Sequence, residues 1–386
     1  MLSFTINNKD LQKLLSKSSN IISRNPKMEI YSLVKITLKN QSLILEVTGM
    51  STYLQALIPA NFSGFENVEF LIKPDLLLEL LPLIKDEIIH FDLDQEGGIL
   101  LLKSNKTKQI IRTYNHFASD YTIPEDKTDE VEVDFFVLVK DLLKATKIAN
   151  TSVGKPKLIS DNKFTNICFS FQKDNQLTMA STDKFRISRV NIPINYNKKS
   201  ENEVSKLYLI NPKTLQLIIS LIDNQESLNF VLQNSYAWIT IGTTKVAIQY
   251  NGHEYPDINK IIPQSFSFIY TVETEELKEA LKQIAVIARK IEKNKAVLIT
   301  IDGIGQVMKL ESKSLDGSSL ETTLPISNYS GGEEIWQQSF NLDYLLEFIS
   351  QVDEPRLVLE QQTGKVLMSP EDKKDQVIYL ASGLKS

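Results

Sequence analysis

Apolar positions along this chain follow two periods, one helical and one alternating, and the pair of periods recurs three times. The stretch "IKPDLLLELLPLI" (72–84) aligns without gaps with "INPKTLQLIISLI" (210–222) and "FNLDYLLEFISQV" (340–352). Five positions are apolar in all three copies: Ile72/Ile210/Phe340, Leu77/Leu215/Leu345, Leu80/Ile218/Phe348, Leu81/Ile219/Ile349 and Ile84/Ile222/Val352. The last four are spaced i, i+3, i+4, i+7, which is one face of a helix. Pro74 and Pro212 fall in the first turn, where a missing N–H costs no hydrogen bond. Three matches at similar separation imply internal repetition.

Other elements recur at the same offsets. Helical patterns open each third at 9–22, 140–152 and 275–288. Each is followed by an alternating hairpin, at 34–49, 167–182 and 298–312, turning at Asn40-Gln41, Asp174-Asn175 and Asp302-Gly303. After the second helix comes another hairpin, at 88–104, 228–242 and 356–370. The expected fold is therefore α+β: three similar domains, each with two helices packed on antiparallel sheet. The polar stretch 124–133 and the proline-marked 261–268 are the joints, giving domains 1–128, 129–263 and 264–386. Such domains leave strand edges open at both ends of the chain. Pairing the first domain of one copy with the last of another removes both edges and closes two chains into a ring.

Composition narrows the class. With 42% apolar and 24% charged residues, the 386-residue chain has ordinary globular make-up, and its apolar runs are too short to span a bilayer. No basic segment leads an apolar one at the N-terminus, and the single cysteine, Cys168, excludes an internal disulfide. The expectation is a soluble, cytoplasmic protein. Net charge is −5, yet the cations are not evenly spread. Lys9, Lys13 and Lys17 share one face of the first opening helix, Lys140, Lys144 and Lys147 one face of the second, and Lys278, Lys282 and Arg289 one face of the third. Arg24 and Lys155 continue these helices or their exits. Any soluble amphipathic helix shows such a stripe. Its recurrence on equivalent helices of an acidic protein points instead to a cationic lining for duplex DNA, read without regard to sequence.

Two stretches of the middle third carry a family resemblance. "STDKFRISRVNIPI" (181–194) and "EYPDINKIIP" (254–263) resemble signatures of the bacterial sliding clamp, the beta subunit of DNA polymerase III, and "SFTINNKDLQKLLSKSSNIISRN" resembles that family's first strand and helix. The resemblance implies a non-catalytic head-to-tail homodimeric ring on double-stranded DNA, without metal or cofactor. It also implies partners: the polymerase catalytic subunit, a clamp loader, and replication and repair proteins bound through linear motifs. The implied peptide pocket comprises Thr165, Thr182, Lys184, Phe185, Arg186, Ile187, Pro256, Ile261, Val377, Tyr379 and Leu380. Lys184-Phe185 replaces the family's Gly-His, Thr165 stands where an apolar residue is usual, and the C-terminal ending differs. Leu83 and Ile287 are candidates for the subunit interface, although either fits equally in the core of its own domain.

The alternative from another class is a metal-dependent enzyme on this scaffold, using Asp92 and Asp94 of "DLDQEGG" (92–98). A hairpin turn with solvated carboxylates explains that stretch as well. His90, His116 and His253 show no metal-ligand spacing, and "DGIGQV" (302–307) lacks the third glycine and helix of a phosphate loop.

Overall fold

The structure, a computed structural model, describes residues 1–22, 28–64, 67–125, 131–155, 162–172, 174–199, 206–233, 235–250, 252, 254–290, 295–332 and 335–384. In the first third, β1 (Leu2–Asn7) leads directly into α1 (Asn8–Ser18), whose first amides are capped by the Asn7 side chain. Then come β2 (Val34–Lys39), β3 (Ser42–Thr48), β4 (Thr52–Phe62), β5 (Val68–Ile72), α2 (Asp75–Leu80), β6 (Ile88–Asp94), β7 (Ile99–Lys103) and β8 (Lys108–Arg112).

The same order returns twice. The middle third has β9 (Val131–Leu138), α3 (Val139–Asn150), β10 (Ile167–Phe171), β11 (Gln176–Thr182), β12 (Arg186–Lys199), β13 (Tyr208–Ile210), α4 (Pro212–Leu221), β14 (Ser227–Gln233), β15 (Tyr236–Ile241) and β16 (Thr244–Gln249). The short α5 (Ile258–Ile261) follows. The last third has β17 (Phe268–Glu273), α6 (Thr274–Ala288), β18 (Ala296–Asp302), β19 (Val307–Lys313), β20 (Ser319–Pro325) and β21 (Ser327–Ser330). It ends with β22 (Trp336–Asn341), α7 (Leu342–Ile349), β23 (Arg356–Gln362), β24 (Lys365–Pro370) and β25 (Val377–Ser382).

Each third threads its strands alike. In the first, antiparallel pairing runs β5-β2-β3-β4-β1-β6-β7-β8. The middle runs β13-β10-β11-β12-β9-β14-β15-β16. The last runs β22-β18-β19-β20, then β21-β17-β23-β24-β25. All six expected hairpins form. The first turns through Asn40 and Gln41, both left-handed (φ 51 and 55), a geometry that matches the twist of the flanking strands.

Two further pairings join one third to the next. β16 lies antiparallel to β4, with Thr244 opposite Ala56 and Ile248 opposite Thr52. β25 lies antiparallel to β12, with Arg186 opposite Ala381 and Val190 opposite Val377. The strands in the corresponding places, β8 and β20, pair among the described residues only with β7 and β19.

By its contacts the chain divides into two compact units, each holding one of these joints. The first comprises Met1–Val137, Tyr196–Ser200 and Lys213–Tyr250. In it Leu11, Leu14 and Leu15 of α1 are buried, and Phe4 stacks on Phe91 at 5.1 Å. The second comprises Leu138–Asn195, Glu201–Pro212 and Asn251–Ser386. Leu277, Leu281 and Ile284 of α6 are buried there, and Phe348 of α7 stacks on Tyr379 at 4.5 Å. Among the described residues no helix is long and apolar enough to cross a membrane.

Candidate functional site

Between β11 and β12 the chain reverses over Thr182-Asp183-Lys184-Phe185-Arg186, and short polar side chains fold this turn onto itself. The Asp183 carboxylate accepts the amides of Phe185 and Arg186, both at 3.0 Å, and the Arg186 Nε at 2.9 Å. The Thr182 hydroxyl donates to the Arg186 carbonyl at 2.8 Å and accepts the Lys184 amide at 3.1 Å. The turn needs one left-handed residue, and Lys184 supplies it with φ 79.

Arg186 is 4% exposed, and its Nη1 donates to Glu347 on α7. Its guanidinium also lies over the ring of Tyr344. Burial by itself would pull the guanidinium's proton affinity down. The Tyr379 hydroxyl, Glu347 and Asp183 outweigh that, and the net direction is up. The cation is therefore fixed in charge as well as in position.

An apolar surface adjoins the turn. Ile187 pairs with Leu380, Ser188 with Tyr379 and Val190 with Val377 across β12 and β25. Ile187 and Leu380 pack with Tyr255, Ile258 and Ile262 in one cluster, and the Tyr255 hydroxyl accepts the Thr182 amide at 2.9 Å. Phe185 (60% exposed) and Ile261 (40%) remain open to solvent. Thr165 is half-buried, next to Phe164, whose ring lies 6.3 Å from that of Tyr255. Pro256 lines a cavity of about 400 Å³ together with Tyr255, Thr178, Arg189 and Cys168, whose thiol is pushed up to about 12 by burial. The expected pocket residues thus gather around one turn and the strand beside it.

The helix lysines divide into two groups. Lys13 and Lys17 both bind Asp223, at 2.9 and 2.7 Å, and hold its carboxyl below the usual range, Lys17 foremost. Lys144 binds Glu354 at 2.5 Å, and Lys278 binds Glu275 within its own helix at 3.2 Å. Lys9, Lys140, Lys147, Lys155, Lys282 and Arg289 are exposed, with no ion-pair partner among the described residues. Arg24 lies outside the described residues.

The description "DNA polymerase III beta subunit, N-terminal domain" matches residues 2–125, and "DNA polymerase III beta subunit, C-terminal domain" matches 259–381. The chain belongs to the beta sliding clamp family. A relative named beta sliding clamp from Mycoplasma capricolum is 23% identical over 373 residues, covering 93% of this chain and 92% of the relative. Another, from Helicobacter pylori, is 20% identical and covers 97% and 96%. The DNA polymerase III beta subunit from Pseudomonas aeruginosa shares the fold with a TM-score of 0.88 over the whole of both chains at 16% identity. The sliding clamp from Bacillus subtilis does so at 0.88 and 14%, covering 100% of this chain and 99% of that one.

Within this clamp fold, Leu83 is 78% exposed, whereas Ile287 is 8% exposed and belongs to the buried face of α6; its neighbour Val286 is the exposed one, at 62%. The metal-enzyme alternative finds no support. Asp92 is held by Lys103 at 2.5 Å and by the Ser3 hydroxyl at 2.6 Å, and Asp94 accepts the Gly97 amide at 3.0 Å in its hairpin. Among the described residues no group of three His, Cys, Asp or Glu could hold a metal. Sequence reasoning missed the partners of Arg186. Tyr344 and Glu347 stand three apart on α7, a spacing that puts both on one helix face.

Proposed function

We propose that two copies of this chain close head to tail into a ring around duplex DNA, and that the ring tethers the replicative polymerase without itself catalysing a reaction. Each chain contributes three domains, 1–128, 129–263 and 264–386. A short peptide of the polymerase, or of the clamp loader and repair proteins, docks at the Arg186 turn in the cytoplasm. The apolar surface around Ile187 and Leu380 suits leucine or phenylalanine anchors, and a guanidinium suits a polar or carboxylate group.

One observation carries the ring: both internal joints use the same register. Tyr53, Ile187 and Ser319 each begin the hairpin return from the preceding strand, paired with Thr48, Thr182 and Lys313. Arg112, Gln249 and Ser382 pair with the first residues of β7, β15 and β24. Counted from these marks, Thr52 opposite Ile248 and Arg186 opposite Ala381 are one and the same pair. The third member sets Ser318 of β20's turn opposite Ile111 of β8 in the second copy, with Glu321 facing Lys108. Opposite charges there stabilise the pairing, and both open edges disappear. Leu83, so exposed, occupies the place of the fully buried Leu221.

Encirclement needs no tight contact, so weak, salt-screened lysine contacts suffice. The test combines solution mass by light scattering with retention on circular DNA before and after linearisation. A dimer released on linearisation is expected. A monomer, or equal retention on both forms, refutes the ring.

A further inference from the structure

Charge follows the same repetition, with one reversal. At the first joint, Lys13 of α1 binds Asp223, just beyond α4. At the second, Lys144 of α3 binds Glu354, just beyond α7. Lys13 and Lys144 are each the sixth residue of a helix that starts directly after a strand, at Asn8 and Val139. α6 starts at Thr274, so its sixth residue is Glu279. On the opposite side of the joint, the gapless alignment of Ile84, Ile222 and Val352 places Lys85, Asp223 and Asp353 at one position, with Glu354 one residue on.

The third joint therefore carries acid where the other two carry base, and base where they carry acid. Both Glu279 and Lys85 are exposed and have no ion-pair partner among the described residues. Asp86, in the place of Glu354, is already occupied: it accepts the Asn105 amide at 2.7 Å and the Asn105 side chain at 2.9 Å. Lys85 is the charge left to face outward.

We infer that Glu279 of one copy pairs with Lys85 of the other, and that this reversed pair sets which thirds can meet. The inference rests on the head-to-tail ring proposed above. If α6 met the loop of a middle or last third instead, Glu279 would face Asp223 or Glu354. If α1 or α3 met the first third's loop, Lys13 or Lys144 would face Lys85. Every wrong joint that involves α6 or the first third's loop sets like charges together, while the right one sets opposites. The chain thus distinguishes the joint between copies from the joints within a copy, although all three share one backbone plan.

The experiment measures dimer dissociation by sedimentation equilibrium for the wild type, Lys85→Glu, Glu279→Lys and an equimolar mixture of the two variants. Each variant alone sets like charges at both joints of its homodimer and dissociates roughly tenfold more readily at low salt. In the mixture, opposite charges meet again at both joints, and wild-type affinity returns. At about 1 M salt the differences vanish, because charges at a solvated interface are screened within a few ångströms. Variants that dimerise like the wild type, or a mixture no tighter than its components, overturn the pair. Failure of the ring itself is separate and visible first, as a wild type that stays monomeric at every concentration.

Discussion

The Arg186 guanidinium lies 4.2 Å from the centroid of the Tyr344 ring, and this contact holds the cation beside a carboxylate that competes for it. Of its two acidic partners, Asp183 is 10% exposed and Glu347 41%. A carboxylate brought by a peptide would displace the exposed one. Glu347→Gln should therefore tighten an acidic polymerase peptide up to about fivefold, the size of one solvent-exposed ion pair. Calorimetry decides it. Weaker binding by this variant would make Glu347 a part of the receptor instead of a competitor.

Lys184 adopts the left-handed backbone that glycine takes without strain. Its ammonium lies 4.9 Å from the centroid of the Phe164 ring, so any substitution also removes that contact. Comparing Lys184→Gly with Lys184→Ala cancels the lost contact and isolates the backbone. The glycine variant should be the more stable by about 1 kcal/mol in urea unfolding. Equal midpoints would mean that the turn relaxes around alanine.

Acid should loosen the joint between α3 and the loop after α7. Burial alone would raise the Glu354 carboxyl, but the Lys144 and Lys373 ammonium groups outweigh it and lower it from 4.5 to about 2. A carboxyl lowered on folding contributes stability that is complete above its unfolded value of 4.5. That contribution is lost as pH falls toward about 2. On the order of 2 kcal/mol is at stake for a side chain 10% exposed. Unfolding of Glu354→Gln should consequently vary less between pH 5 and about pH 2.5 than that of the wild type.

Strong periodicity made the helices and hairpins legible. Leu11, Leu14 and Leu15, like Leu277, Leu281 and Ile284, are buried on one face as their spacing requires. The strands after each hairpin were not read, among them β4, β12 and β16, because joints mask their alternation. Tyr53 and Leu54 are adjacent, yet both are buried; the Tyr53 ring of β4 meets Trp238 of β15 edge-on at 6.0 Å, past Ala247 of the intervening β16. Three of these missed strands, β4, β12 and β16, make the joints within the chain. The charge stripe was legible as a face, but not its pairing: Asp223 and Lys13 lie 210 residues apart in sequence, and nothing local links them. Ile287, equally consistent with core or interface on the wheel, is 8% exposed within its own chain.

That pairing changes which lysines should matter for DNA. Lys147 and Lys282 are each the ninth residue of their helices, exposed and unpaired among the described residues. Lys13 and Lys144 are engaged by Asp223 and Glu354. Reversing Lys147 and Lys282 to glutamate removes free cations from equivalent places on two helices. The slope of log affinity against log salt should fall by about 1 to 2, at about 0.9 per phosphate contact. Reversing Lys13 and Lys144 instead sets like charges inside the joints, so its main effect should be a lower urea midpoint with a smaller change in slope. Both quantities come from the same proteins: titration on short duplexes at several salt concentrations gives the slope, and unfolding gives the stability. If the Lys13/Lys144 reversal changes the slope more, those ion pairs open on DNA and the joint lysines contact phosphate after all.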